Sequence, residues 1–326
     1  MPESVTPRRK AADLEVCDLA VDIGTDRGVV HAVRGVSFEV PAGSRLGVVG
    51  ESGSGKSMTA YAILRVLPRT GRIVGGRVEV GGHELTGLTE KGMNGVRGRV
   101  ISLVFQNAKA ALNPVFPVGN QIATAYRAHF PASRRVARER AVDMLARMGI
   151  PNARQRASAY PHEFSGGMAQ RVMIAMALIC EPSILLADEP TTGLDLTIQA
   201  QVLDVIDARV DEFQTSLVMI SHDLSVVRRM CTDVVVMYAG EIAESGPLAV
   251  VLSQPAHPYT QGLVAAYEAA DRPVYIAGRV PSLTRVFKGC SFADRCPMAE
   301  QVCRERKPEL RELAGGRRVA CHLVRE

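Results

Sequence analysis

Eight consecutive residues, Gly50-Glu51-Ser52-Gly53-Ser54-Gly55-Lys56-Ser57, combine three glycines, a lysine and hydroxyls in the order G-x-x-x-x-G-K-[ST]. Glycines let a backbone curl until successive N–H groups point inward, and a helix starting near Lys56 adds the positive end of its dipole. The result is a cradle for phosphate oxygens. In this pattern Lys56 is expected to neutralise the β- and γ-phosphates of a nucleotide, and the Ser57 hydroxyl to ligate Mg2+. The expected nucleotide-contacting set is Gly50, Glu51, Ser52, Gly53, Ser54, Gly55, Lys56, Ser57 and, one turn on, Thr59. A surface loop merely rich in Gly and Ser is the plain alternative, and the strand before and helix after the loop argue against it.

A second group completes the chemistry. Ile184-Leu185-Leu186-Ala187-Asp188-Glu189 is an apolar run ending in two acids. Asp188 is suited to hold Mg2+, and Glu189 to polarise an attacking water, because phosphoryl transfer needs a nucleophile aligned in line with the leaving oxygen. Seen alone, Asp-Glu-Pro after a strand is as often only a turn. His222 follows the apolar run Ser216–Ser221 and is placed to sense a γ-phosphate, although a lone histidine at a strand end is more often structural.

These residues need elements to carry them. Alternation predicts strands over Leu14–Val21 and Val29–Val40 with a turn over Gly24–Gly28, then a short strand Arg45–Val49 running into the glycine loop and a helix over Met58–Leu67. From about Ala108 to Pro182 the chain reads as helical, including Ser133–Met148, where Val136, Ala137, Ala141, Met144, Leu145 and Met148 recur at helical spacing before Gly149 and Pro151. Alternation resumes with strand Ile184–Ala187, helix Ile198–Phe213, and strands Ser216–Ser221 and Val234–Tyr238. The pattern predicts an α/β core with an inserted helical subdomain. Beyond about Tyr267 composition shifts to Pro, Gly, Cys and Arg, which predicts a small irregular module that needs a staple.

The chain has 326 residues, 47% of them hydrophobic, enough to bury a full core. A formal charge of +5 without a basic block gives nucleic acid no support. The longest strongly apolar stretch, Val172–Cys180, falls well short of the roughly 20 residues a membrane helix requires. The first sixteen residues carry basic side chains without a following apolar run and are not expected to be a secretory signal. A cytoplasmic protein is the expectation.

Phe164-Ser165-Gly166-Gly167-Met168-Ala169-Gln170-Arg171 resembles the signature sequence of ABC ATPases. With the phosphate loop, Gln106, the Asp188-Glu189 pair, Gly193-Leu194-Asp195 and His222, it stands in the order that family shows. The resemblance implies a P-loop NTPase core of the ABC type, with an antiparallel β subdomain and an inserted helical subdomain over about 108–182, and a nucleotide-binding domain over 12–266. Taken alone, the signature is an N-capped helix with a glycine-rich lead-in, a second place where free N–H groups and a hydroxyl face an anion. In the resembled family the signature of one subunit closes over the ATP held by the other. Ser165, Gly166, Gly167 and Asp195 are therefore expected at a subunit interface, and Gln106 near Mg2+ and the attacking water. Two departures from relatives stand out: Ile23 occupies the usual position of an adenine-stacking aromatic, and Ala169 stands where arginine is frequent.

His257-Pro258-Tyr259-Thr260, Val280-Pro281-Ser282-Leu283 and Gly289-Cys290-Ser291-Phe292-Ala293-Asp294-Arg295-Cys296-Pro297 resemble the extension of oligopeptide and dipeptide importer ATPases, a group that includes nickel importers. A second domain over 267–326 is expected. The implied partners are a second ATPase subunit of a different chain, two transmembrane permease subunits and a substrate-binding protein. The implied location is the cytoplasmic face of the cell membrane, as a peripheral protein, with ATP and Mg2+ as cofactors. Cys290, Cys296, Cys303 and Cys321 follow C-x5-C-x6-C-x17-C, which lacks the C-x2-C knuckles usual for zinc. Four thiolates can hold a [4Fe-4S] cluster without short spacing, and some importers of the resembled group carry one. Cluster, zinc and metal-free thiols remain open, with His322 an outside ligand. Two other classes compete: a soluble ABC ATPase acting on DNA or ribosomes, whose usual coiled-coil insertions or tandem halves are not visible, and a redox protein centred on the cysteines.

Overall fold

The computed structural model describes residues 12–269 and 275–324. Most of the N-terminal segment judged not to be a signal lies outside the described residues. In chain order the elements are β1 (Leu14–Thr25), β2 (Gly28–Val40), β3 (Arg45–Val49), α1 (Lys56–Ile63), β4 (Gly71–Val80), β5 (His83–Glu84), α2 (Glu90–Val96) and β6 (Ile101–Val104). A helical stretch follows: α3 (Ala108–Ala111), α4 (Val118–Arg127), α5 (Arg134–Arg147), α6 (Ala153–Arg156) and α7 (Gly166–Leu178). Then come β7 (Ile184–Asp188), α8 (Leu196–Phe213), β8 (Ser216–Ser221), α9 (Leu224–Met230), β9 (Asp233–Tyr238), β10 (Glu241–Pro247), α10 (Leu248–Ser253), α11 (Pro258–Glu268), α12 (Gln301–Glu305), β11 (Arg311–Leu313) and β12 (Arg317–Val319).

The described chain forms two compact units. One, here the loop unit, gathers 14–40, 44–87 and 219–324, and the other, the helical unit, gathers 12–13, 41–43 and 88–218. The residues beyond 267 thus group with the phosphate loop.

Within the loop unit, β2-β1-β4-β5 form an antiparallel sheet. β1 and β2 pair from Leu14↔Val40 to Thr25↔Gly28, so the hairpin closes over Asp26 and Arg27 alone, shorter than the turn expected over Gly24–Gly28. β4 escapes the alternation rule because Gly75 and Gly76 interrupt it. Gly76 sits at φ +80 with its Cα so close to the Asp18 backbone that a Cβ would come within 2.4 Å, opposite the bulge in β1. β3 pairs parallel with β9 (Val48↔Val235), and β9 pairs antiparallel with β10. Residues Leu46 to Val49 are buried, as the continuous apolar run of a strand covered on both faces requires. The tail is less irregular than its composition suggests: β11 and β12 form a hairpin, and β12 joins β10 at Glu244↔Val319. Strands of three residues are too short to show a period.

Within the helical unit, β6 pairs parallel with β7 from Ile101↔Ile184 to Val104↔Ala187. α5 starts where Ser133 Oγ accepts from the Val136 N–H at 3.3 Å and stops at Gly149, whose φ of +71 is the left-handed cap expected there. Its inward face is Ala137, Ala141, Met144 and Leu145. Among the described residues, no helix is long and apolar enough to cross a membrane. Leu145, with 0% exposure, and Leu196, with 82%, bracket the packing range. Urea unfolding followed by circular dichroism is expected to show Leu145→Ala destabilised by about 2–5 kcal/mol and Leu196→Ala unchanged within about 0.5 kcal/mol.

Candidate functional site

In the loop unit, β3 delivers the chain into a turn that only glycine can make. Gly50 sits at φ +151, and a Cβ there would lie 2.2 Å from the Met237 carbonyl oxygen. Gly55, at φ +100, caps α1, and a Cβ there would lie 2.4 Å from the Ala32 carbonyl oxygen. α1 therefore starts at Lys56, where the phosphate-loop pattern puts it, two residues before the Met58–Leu67 run. The Gly240 N–H donates to the Ser54 carbonyl at 3.0 Å, tying the loop to the turn after β9.

Lys56 is 5% exposed and its Nζ lies in the hollow of the loop, donating to the carbonyls of Gly50 (2.7 Å) and Glu51 (2.9 Å) and to Ser54 Oγ (3.4 Å). An ammonium held in a curl of backbone beside a helix start fits an anionic phosphate. Ser52 and Gly53 are exposed and Ser57 half-buried. Thr59 departs from expectation: its hydroxyl donates to the Gly55 carbonyl at 3.0 Å and is buried within the first turn of α1. His222 is exposed just beyond the end of β8. Ile23 lies within β1, opposite Val30 and Gly71, so an aliphatic side chain stands at that strand position.

The helical unit assembles the acids through strand register. Because Val104 of β6 pairs with Ala187 of β7, the residues two places further on, Gln106 and Glu189, leave the sheet side by side. Gln106 Nε2 donates to Glu189 Oε2 at 2.9 Å, and Thr192 Oγ1 donates to the same oxygen at 2.8 Å. Thr192, three residues after Glu189, belongs to none of the motifs in the sequence and joins the site only through this bond. A carboxylate steered by two donors can orient a water or accept its proton. Glu189 also adopts φ +45, a left-handed conformation that costs a non-glycine residue about 1–3 kcal/mol. Asp188, the last residue of β7, is fully buried, where a carboxylate suits a hard cation.

The signature segment forms a helix tip. Ser165 caps α7, its Oγ accepting from the Met168 N–H at 3.4 Å, and Asp195 caps α8, accepting from the Ile198 N–H at 3.0 Å. The two tips meet because Gly167 has no side chain: a Cβ there would lie 2.3 Å from Ile198 Cγ2. Ser165, Gly166 and Asp195 are exposed, and Ala169 is fully buried in α7.

Cys290, Cys296, Cys303 and Cys321 line one small pocket with His257, Phe292 and His322, and all four are free thiols. Burial pushes the Cys290 thiol up to about 11 and raises that of Cys296. His322 Nε2 is engaged with the Arg306 carbonyl at 2.8 Å. Among the described residues, no three His, Cys, Asp or Glu side chains stand close enough to hold a metal ion. Neither the cluster nor zinc therefore finds a preformed ligand set among the described residues.

A glycine loop holding a buried lysine, an acid-tipped strand and a serine-capped helix define a P-loop ATPase of the cassette type. The sequence profile of the ABC transporter family matches residues 33–192, and that of the oligopeptide/dipeptide transporter C-terminal region matches 243–303. The oligopeptide transport ATP-binding protein OppD of Salmonella typhimurium is 46% identical, over 94% of this chain and 92% of its own. The dipeptide transport ATP-binding protein DppD of Bacillus subtilis is 44% identical, over 89% of this chain and 88% of its own. A solved dimeric ATP-binding cassette in a post-hydrolysis state with ADP and Pi shares the fold, with a TM-score of 0.65 at 24% identity over 72% of this chain and 98% of that one. The chain belongs to the ABC transporter family, as one of its ATPase subunits.

The close approach at Gly167 yields a test. Gly167→Ala is expected to destabilise the chain by about 1–3 kcal/mol in urea unfolding, and Ile198→Ala in the same chain to recover most of that loss, since it removes the opposing methyl.

Proposed function

We propose that this chain is the motor subunit of an ABC importer for oligopeptides or dipeptides, binding and hydrolysing MgATP to drive separate membrane-spanning subunits. The observation that carries the reading is the union, in one chain, of an ABC core with the C-terminal region of oligopeptide/dipeptide transporters. The relatives' names, OppD and DppD, point the same way. A nickel or other small-solute importer would use the same motor with different cargo.

In this reading 12–266 is the nucleotide-binding domain, with its helical subdomain over about 108–182, and 267–326 is the extension. The phosphate loop, Gly50 to Ser57, grips ATP, with Lys56 on the β- and γ-phosphates. Ser57, Gln106 and Asp188 attend Mg2+, Glu189 polarises the attacking water, and His222 senses the γ-phosphate. Ser165, Gly166, Gly167 and Asp195 serve the nucleotide of a second ATPase subunit, a different chain. Two permease subunits and a substrate-binding protein complete the assembly, with this chain peripheral on the cytoplasmic face. The steering of Glu189 by Gln106 and Thr192 supports its role, because an oriented base needs a fixed carboxylate.

The four thiols are assigned to a [4Fe-4S] cluster rather than zinc. What supports the assignment is that four free sulfurs line one pocket, and four thiolates are the ligand set of such a cluster. Iron and acid-labile sulfide in the purified complex are expected to track each other and to vanish in Cys303→Ser.

Purification of the assembled membrane complex tests the whole reading. Lys56→Ala is expected to weaken nucleotide binding. Glu189→Gln is expected to keep it, lower turnover by about 10²-fold or more and trap an ATP-loaded dimer. Turnover by Glu189→Gln at the parental rate would remove the assigned role, and ATPase stimulated by nickel but not by peptides would reassign the cargo.

A further inference from the structure

The phosphate loop carries an acid. Glu51 follows Gly50 directly, in a segment built to collect anions, and its charge opposes that task. The opposition is cancelled from 244 residues away. Arg295 Nη1 donates to Glu51 Oε2 at 2.6 Å and Nη2 to Oε1 at 3.0 Å, a two-pronged fork on the carboxylate. The remaining donors are also taken: Nε by the Ala277 carbonyl (2.9 Å), Nη2 by the Ile276 carbonyl (3.0 Å) and Nη1 by the Tyr238 hydroxyl (3.3 Å). All five N–H groups of the guanidinium thus meet an acceptor. Its side chain is 4% exposed, with the rings of Tyr238 and Phe292 centred 5.7 and 5.9 Å away.

The backbone of Glu51 is held as well. Its N–H donates to the hydroxyl of Tyr259, a fully buried residue of α11, at 2.8 Å. A loop that turns at glycines has little order of its own. Here that order comes from α11 and from the cysteine-bearing tail, where Arg295 immediately precedes Cys296.

We propose that Arg295 is a positioning residue for nucleotide binding, fixing Glu51 and the phosphate loop and cancelling a carboxylate charge beside the triphosphate. The inference rests on the reading of 50–57 as the ATP-gripping loop. Lysine replaces the arginine only in part, because an ammonium keeps the charge but cannot present a planar fork to five acceptors. Arg295 touches no reacting atom, so its loss should act on affinity more than on the chemical step.

The test uses the full chain as parent, Arg295→Gln, Arg295→Lys, Glu51→Gln and the double variant Glu51→Gln/Arg295→Gln. MgATP affinity is measured by calorimetry, KM and kcat in the assembled complex, and amide hydrogen exchange over residues 50–57 without nucleotide. Arg295→Gln is expected to weaken MgATP about tenfold or more, Arg295→Lys to do so partly, and the double variant to be no weaker than Arg295→Gln, because both changes break the same contact and their effects do not add. KM should rise with kcat little changed, and exchange over the loop should quicken. Unchanged affinity in Arg295→Gln, or a double variant in which the two losses add in full, overturns the proposal. Should Arg295→Gln fail to fold, Glu51→Gln alone decides: faster exchange over the loop supports the contact's role and parental exchange overturns it. A parent that binds no MgATP overturns the nucleotide reading itself, while the exchange measurement still judges the loop's dependence on Arg295.

Discussion

The loop unit is organised around a backbone turn with no room for side chains. At Gly50 the chain leaves β3 against the Met237 carbonyl, and at Gly55 it enters α1 against that of Ala32. Each approach is closer than any Cβ tolerates, so β2, β9 and the turn after β9 must hold their carbonyls in place for the loop to exist at all. The parallel pairing of β3 with β9 and the antiparallel sheet of β1, β2 and β4 supply that rigidity. The shape of the loop is thus a property of the surrounding sheets as much as of the eight residues named by the motif.

Register does for the acids what close packing does for the loop. Pairing Val104 with Ala187 in parallel register brings Gln106 beside Glu189. The left-handed conformation of Glu189 is the local strain this arrangement carries, and the bonds from Gln106 and Thr192 hold its side chain on one course.

Legibility in the sequence followed locality. The glycine loop, the apolar strand ending in Asp188 and the helix of Ala137, Ala141, Met144 and Leu145 declare themselves within a few residues, and the structure contains each. β4 was hidden because the glycines that permit its bulge also erase its alternation, and β6 because four buried residues show no period. Thr59 looked like a ligand from its place in line, yet its hydroxyl closes a helical turn. The tail looks irregular in sequence because its strands are three residues long, and its attachment to the loop unit depends on partners such as β10 that lie far off in sequence. The fork between Arg295 and Glu51 could not be read at all, since a charge pair 244 residues apart leaves no spacing to find.

That separation has a consequence for how the protein is made. The tyrosine and arginine that steady Glu51 are synthesised 208 and 244 residues after it, and contacts so distant in sequence form late. A chain that stops before Tyr259 would carry the motif without either steadying contact.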